Sequence, residues 1–242
     1  MHQRISRLLF SVALTLAISA ACQLLAIESG PIARLSATPL YSGRTQDPTA
    51  VQLTMQDKDE VIRFKIPRMY MTLSPNWKGG MQDVIAIEVV FPSMAPAGRR
   101  SLASADVLSI SLYSFARAGG GFSFLRLLQY NQDNEWTRVD RLTDRSGEGY
   151  SVYVARSNVE KWKDPTVSVK EYFVPDNSNG RVYFECYREK LNPFVGCLCL
   201  TAFGQNLSLS VAFRRSQFER WREILRAVEG LLISFKEGDN PD

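Results

Sequence analysis

Between residues 60 and 213 the chain repeatedly alternates hydrophobic and polar side chains, which is the pattern of a β-strand with one buried face. In residues 61–66, Ile62, Phe64 and Ile66 share one face of the predicted strand, and Arg63 and Lys65 share the other. Further strands are predicted at residues 107–115, 136–142, 150–156, 167–174, 181–189, 197–203 and 207–213. Their spacing is typical of antiparallel sheets.

Three segments depart from this alternation. Residues 84–91 are apolar except for Glu88, so we expect a central strand that is covered on both faces. Residues 122–130 carry apolar side chains at helical spacing and are predicted to form a short helix. Residues 95–104 are predicted to be a loop.

After residue 213 the hydrophobic period changes from 2 to 3.6, which predicts an amphipathic helix over residues 216–235. Ser216 and Glu219 have the spacing of a capping box at its start, and Gly238 is a plausible stop. Its apolar stripe consists of Phe218, Trp221, Ile224, Leu225, Val228, Leu231 and Leu232. The pattern as a whole predicts an α+β fold, in which a β-rich, largely antiparallel sheet of roughly eight or nine strands is closed by this C-terminal helix.

The first residues have the three parts of an export signal: Arg4 and Arg7, an apolar run, and the small residues that end at Ala21. Residues 1–21 are therefore predicted to direct export. The stretch 18–22 resembles the acceptor site of a bacterial lipoprotein, with Cys22 as the residue to be lipidated, although Ser19 stands where a larger aliphatic side chain is usual. Two alternatives stay open: cleavage without lipidation, or no cleavage, with residues 8–27 as a membrane anchor.

Behind this signal the sequence predicts two regions. Residues 22–50 contain several glycines and prolines and lack strong periodicity, which favours a tether, and residues 51–238 are predicted to form one globular domain. We therefore expect a periplasmic or cell-surface protein that is attached to the membrane through its N-terminus. Two of the 29 basic residues belong to the predicted signal. The other 27 basic residues are scattered along the chain among 25 acidic residues. This pattern argues against nucleic acid as a partner.

The only histidine of the chain is His2, inside the signal. Its position excludes histidine-dependent nucleophilic catalysis, the common zinc hydrolase sites and histidine proton relays from the exported domain. No motif indicates a cofactor or a metal. Carboxylates could still perform acid–base chemistry, although Glu88 and Glu185 are interpreted as edge or solvent-facing residues of their strands. The candidate acids are Asp57, Asp59, Glu60, Glu88, Asp106 and Glu185.

Three cysteines fall on a predicted hairpin, where Cys186 lies on the first strand and Cys197 and Cys199 share a face of the second. In an oxidising compartment this arrangement predicts a disulfide, either Cys186–Cys197 or Cys186–Cys199. A metal site at these cysteines would lack two further soft ligands.

One connection, residues 68–80, is rich in large side chains of the types that dominate binding hot spots, namely Arg68, Tyr70 and Trp77. These residues are candidates for binding another envelope or secreted protein, although such side chains also commonly fold back to cover the end of a sheet. The leading hypothesis is a non-enzymatic envelope protein, acting as an assembly factor or as an inhibitor. The alternatives are a histidine-free, carboxylate-dependent hydrolase of envelope glycans and a carrier of an apolar ligand.

Overall fold

The structure is a computed structural model in which the described residues are 45–57, 60–98, 104, 106–114, 122–131, 138–142, 149–156, 161, 164, 169–187, 196–205 and 207–237. All of them belong to one compact unit, residues 40–242. The predicted signal, the alternative anchor, Cys22 and most of the tether lie outside the described residues. Within the described ranges, no helix combines the length and the apolar character that crossing a membrane requires.

The described residues form twelve strands, nine of which build one large antiparallel sheet in the order β5-β4-β6-β12-β11-β10-β9-β8-β7. The strands β6 and β12 alternate apolar side chains with serines, so that one face of each strand is uniformly apolar. The strands of this sheet are β4 (Val84–Val90), β5 (Ala95–Pro96), β6 (Val107–Ser114), β7 (Val139–Leu142), β8 (Tyr150–Ala155), β9 (Lys170–Pro175), β10 (Tyr183–Tyr187), β11 (Gly196–Phe203) and β12 (Leu207–Arg214).

A second, three-stranded sheet consists of β1 (Ala50–Asp57), β2 (Glu60–Pro67) and β3 (Gly80–Met81). β1 pairs with β2 antiparallel along its whole length and with β3 in parallel. Its buried face carries Leu53 and Phe64, both fully buried. Phe64 contacts Phe203 of the large sheet at 6.4 Å between ring centroids, so the two sheets share a core.

The described residues include the α-helices α1 (Ser74–Trp77), α2 (Phe124–Asn131) and α3 (Trp221–Phe235). The apolar stripe of α3 is buried in the shared core through Ile224, Leu225, Val228 and Leu232. We call the face of the large sheet that joins this core its inner face, and the opposite face its outer face. Phe184 marks the inner face, because its ring contacts Trp221 of α3 at 5.2 Å.

The predicted β-rich antiparallel architecture with a C-terminal helix is confirmed, and most strand boundaries agree within a few residues. Three expectations were wrong. The strands β1, β3 and β5 were not predicted, and β5 falls in the segment expected to be a loop. The first strands form a separate sheet, in which β1 and β2 pair with each other along their whole length. β4 is covered on both faces, as expected, but lies second from an edge.

The start of the C-terminal helix also differs from the prediction. Residues Arg215–Arg220 form a 3-10 helix, and α3 begins only at Trp221, with no side-chain hydrogen bond capping it. Ser216 is exposed and lies within the 3-10 segment. The local capping-box pattern is overridden because Phe218 is buried in the core and fixes the preceding turn there. The helix ends at Phe235, and Gly238 lies outside the described residues.

Candidate functional site

The predicted binding residues of the 68–80 connection are engaged with the body of the protein. The Arg68 guanidinium donates to Asp47 Oδ2 at 2.9 Å and to the Trp77 carbonyl at 3.0 Å. The Trp77 indole N–H donates to the Met71 carbonyl at 3.4 Å. Tyr70 packs edge-on against Phe235 of α3, with 5.1 Å between the ring centroids. All three predicted residues are half-buried, and their role in binding stays a prediction.

Asp47 joins the end of the predicted tether to the body. Hydrogen bonds from the Thr49 side chain and backbone, followed by those from Arg68, hold the Asp47 pKa at about 2. The Asp47 carbonyl also accepts from the Met69 amide at 3.0 Å. Residues 45–49, which the sequence placed in the tether, therefore contact the connection at 68–69.

A second group of polar residues lies on the outer face, where β9 and β10 pair. The Lys170 ammonium donates to Glu185 Oε2 at 2.9 Å, and the Glu185 side chain is only 6% exposed. The same ammonium lies 6.0 Å from the ring centroid of Tyr172 and 5.4 Å from that of Tyr187. The strand register explains this meeting, because Lys170 pairs with Tyr187, and Tyr172 with Glu185. The Lys170–Glu185 ion pair therefore holds β9 against β10 and keeps the Tyr172 and Tyr187 rings beside the ammonium.

The environment shifts the pKa of the groups in this arrangement. Burial alone would lower the pKa of Lys170, but the Glu185 carboxylate and the neighbouring tyrosines raise it well above its usual range. Burial raises the pKa of Tyr172 to about 12, although Lys170 opposes this effect. Lys170 is therefore a fixed cation and a poor nucleophile, and Tyr172 is neutral.

α2 lies against the same part of the outer face. The Phe124 ring is 4.8 Å from that of Tyr153, 6.0 Å from Tyr172 and 5.6 Å from Tyr183. The helix begins here because the Phe124 amide donates to the Gly180 carbonyl at 2.9 Å. Four side chains remain partly or largely exposed around Phe124, and we call them the tyrosine surface: Leu125, Tyr153, Tyr172 and Tyr187.

The inner face carries a second ion pair directly behind the first. Glu171, 1% exposed, accepts from the Arg215 guanidinium at 3.0 Å. The same guanidinium stacks on the Phe173 ring at 4.4 Å. Cys186 faces Glu171 across β9 and β10. These contacts hold the 3-10 helix before α3 against β9 of the large sheet.

The disulfide joins Cys186 to Cys197, with their Cα atoms 4.2 Å apart, which confirms the first of the two predicted pairings. The register decides the pairing, since Cys186 is opposite Cys197, whereas Cys199 is opposite Phe184. Cys199 is a buried free thiol, and burial raises its pKa far above the usual range. Such a thiol is unreactive in the folded protein.

The interpretation of Glu88 and Glu185 as solvent-facing was wrong, because both are buried. They share the outer face and one row of the sheet, but β6, β12 and β11 separate them. Four strand spacings of ~4.8 Å place their Cα atoms about 19 Å apart. Glu60 is exposed, Asp106 is half-buried, and Asp59 and the Asp57 side chain lie outside the described residues. Within the described part of the chain no group of three acidic, cysteine or histidine side chains could hold a metal ion.

Sequence reasoning missed Lys170, Glu171 and Arg215. A signal did exist, because consecutive charged residues inside a predicted strand must point to opposite faces, so one of them has to be buried or paired. The partners could not be inferred, since Arg215 is 44 positions from Glu171 in the chain.

Comparisons of the chain with protein-family models, curated proteins and solved structures found no match. Inference about function therefore rests on the residues of the chain itself.

Proposed function

We propose that this chain is an exported, membrane-tethered envelope protein that binds another protein and does not act as an enzyme. Its role would be that of an assembly factor or of an inhibitor of the immunity type. The observation that carries the proposal is the tyrosine surface, in which Tyr187 of β10 is 38% exposed and Leu125 of α2 is 55% exposed. Tyrosines held by packing lose little entropy on binding and are frequent hot spots of interfaces.

Export is supported by the Cys186–Cys197 disulfide, because such bonds persist in oxidising compartments and are rare in the cytoplasm. A buried cross-strand disulfide at this position fixes β10 against β11. Together with the signal-like N-terminus, the disulfide favours delivery across a membrane. Cys22 would then be the lipidated residue that attaches the tether.

The rival hydrolase hypothesis is less well supported by the described acids. Glycosidases place two carboxyl groups about 5 to 10 Å apart, one of them with a raised pKa. Glu88 and Glu185 are about 19 Å apart by strand spacing. Glu171 and Glu185 are each neutralised by a cation, on opposite faces of the sheet. Paired in this way, these two acids stabilise the fold rather than donate protons.

We also infer that α3, with β1 and β2, closes the inner face of the large sheet. The ring contacts of Trp221 with Phe184 and of Phe218 with Phe173 support this arrangement. Closure on that side leaves the outer face as the side on which a partner can bind.

The test is recovery of a partner from solubilised membranes by the full-length protein. We expect one protein in stoichiometric amount, together with no turnover of envelope polymers by the pure protein. The matched turnover control is a Glu88→Gln, Glu185→Gln variant. Absence of any stoichiometric partner, combined with polymer turnover that this variant loses, would establish the hydrolase instead.

A further inference from the structure

We infer that the tyrosine surface, with the arginines beside it, binds an acidic segment of a protein partner. This inference rests on the proposed function and specifies the surface and the chemistry of the partner. The arginines are Arg141 and Arg181, both exposed.

The surface is continuous across three strands and a helix. Tyr153 pairs with Tyr172 in the register of β8 and β9, and Lys170 bridges Tyr172 to Tyr187. Phe124, 2% exposed, packs against the Tyr153 and Tyr172 rings and anchors α2 to them. The aromatic rings are thus held in place before a partner arrives, and this preorganisation lowers the entropy lost on binding.

Cations flank the aromatic side chains on both sides. Arg141 lies beside Tyr153 in the register of β7 and β8. Arg181 directly follows Gly180, which is in close contact with Leu125 at the start of α2. Among the described residues neither Arg141 nor Arg181 has a carboxylate partner, so both are available to a ligand.

The acids that the structure describes in this region do not cancel the charge of Arg141 and Arg181. Glu185 is neutralised by Lys170, and Asp176, which accepts from Ser151 at 3.3 Å, is the exposed acid at the end of β9. Among the described residues of this region, the exposed Arg141 and Arg181 therefore stand against one exposed carboxylate, Asp176. Carboxylates of a partner match this surplus, and arginine binds them bidentately beside aromatic rings.

An anionic membrane would supply the same sign of charge, but the apolar content favours a protein. Among the described residues of this surface, Leu125 is the one large aliphatic side chain that is exposed. Membrane-surface binding is driven by a broad apolar face that enters the bilayer. Tyrosine with arginine is instead the composition of protein interfaces.

The test uses the full-length protein and two fluorescein-labelled peptides, one alternating Glu and Phe and one alternating Lys and Phe, in fluorescence polarisation. We expect binding of the Glu–Phe peptide, weaker binding at higher salt, and none of the Lys–Phe peptide. A variant with Arg141→Glu and Arg181→Glu should bind at least about tenfold more weakly. The matched control, Arg63→Glu with Lys65→Glu, reverses two exposed charges on β2 and should change affinity less than about twofold.

Three results would overturn the inference: no binding of the Glu–Phe peptide, equal losses in the two charge-reversed variants, or binding to phosphatidylglycerol vesicles that exceeds binding to the peptide. Unchanged urea midpoints confirm that both variants fold.

Partner recovery separates the two proposals. If the Arg141→Glu, Arg181→Glu variant recovers the partner as well as the wild type does, the surface is wrong and the proposed function stands. If the wild type recovers none, the proposed function falls.

Discussion

Lys170 and Glu171 are neighbours on β9. They have opposite charges, and their side chains lie on opposite faces of the sheet. Each meets its counter-charge on a different element: Lys170 meets Glu185 on β10, and Glu171 meets Arg215 before α3. A buried ion pair contributes little net stability compared with apolar residues, but removing one partner leaves an uncompensated charge. The pairs therefore fix the position of β9 more than they stabilise the protein.

Replacing Lys170 by Met is expected to lower the free energy of unfolding by about 2 kcal/mol. The cost is below the roughly 3 to 5 kcal/mol of a fully buried pair, because the Lys170 side chain is 31% exposed. Urea unfolding measures it, and the Lys170→Met, Glu185→Gln double variant should recover about 1 kcal/mol. The control Lys65→Met, at an exposed position of β2, should stay within about 0.5 kcal/mol. If the double variant lost as much free energy of unfolding as the two single variants together, the pairing of Lys170 with Glu185 would be contradicted.

The Asp47 carboxyl should titrate near pH 2 in the folded protein, against about 3.9 in an unfolded chain. A carboxyl with a lowered folded-state pKa stabilises the fold above its unfolded pKa, and this contribution is lost as the pH falls from about 4 toward 2. Thr49→Ala and Arg68→Met should each raise the Asp47 pKa, because the first removes the side-chain hydrogen bond that is its largest cause and the second removes a hydrogen bond and a positive charge. NMR titration of the carboxyl carbon measures all three forms. A wild-type midpoint near 4 would show that Asp47 is not held by these groups.

At the scale of elements, the β10–β11 hairpin combines a disulfide with a buried free thiol. Replacing Cys186 and Cys197 by Ala should cost about 3 kcal/mol, since the bond closes a loop with a sequence separation of 11. Mass spectrometry without reductant should find Cys199 unalkylated in the native protein and alkylated in denaturant. The Cys199→Ala variant is the control and should retain the 186–197 bond. Alkylation of three thiols in protein taken from its native compartment would argue against the bond and against export.

Alanine substitutions at two glycines, one in α3 and one in β11, should change the free energy of unfolding in opposite directions. Gly230 lies on the exposed side of α3 with open space around it, so Gly230→Ala should stabilise the protein by roughly 0.5 to 1 kcal/mol. Gly196 pairs with Arg214, and a Cβ there would collide with the Phe213 carbonyl oxygen. Gly196→Ala should therefore cost about 1 to 3 kcal/mol. Thermal unfolding of the two variants measures both, and effects of the same sign would contradict this account.

At the scale of the whole molecule, α3 joins the two sheets. Trp221 near its start contacts Phe184 of the large sheet. Beyond its end, Lys236 pairs with Phe64 of β2, and the Glu237 amide donates to the Arg63 carbonyl at 3.0 Å. Side chains from both sheets and α3 form one hydrophobic cluster.

This shared core predicts a single cooperative unfolding transition. Far-ultraviolet circular dichroism and tryptophan fluorescence should give the same urea midpoint. Phe64→Ala, which removes a fully buried ring between the sheets, should lower both midpoints equally and cost about 3 to 5 kcal/mol. Val61→Ala, at an exposed position of the same strand, is the control. Separate transitions for the two probes would mean that the three-stranded sheet unfolds independently.

Much of this architecture follows from local patterns. The alternation in residues 207–213 and the 3.6-residue period after it predicted β12 and α3, because a strand or helix must bury one apolar face whatever it packs against. β1 was missed although Val51, Leu53 and Met55 alternate with polar side chains, since its sequence has no aromatic side chain and only one β-branched apolar one. The tyrosine surface was missed for another reason: its residues come from three strands and a helix.

The sequence by itself determined the strand and helix periods, the absence of histidine after residue 2, and the presence of three cysteines on one hairpin. Only the tertiary structure decided which groups meet. Register placed Cys186 opposite Cys197 and Tyr172 opposite Glu185, and packing brought Arg215 to Glu171. The physical reason is that periodicity reflects burial of each residue relative to its own neighbours, whereas pairing depends on strand order and register, which are set by contacts between distant parts of the chain.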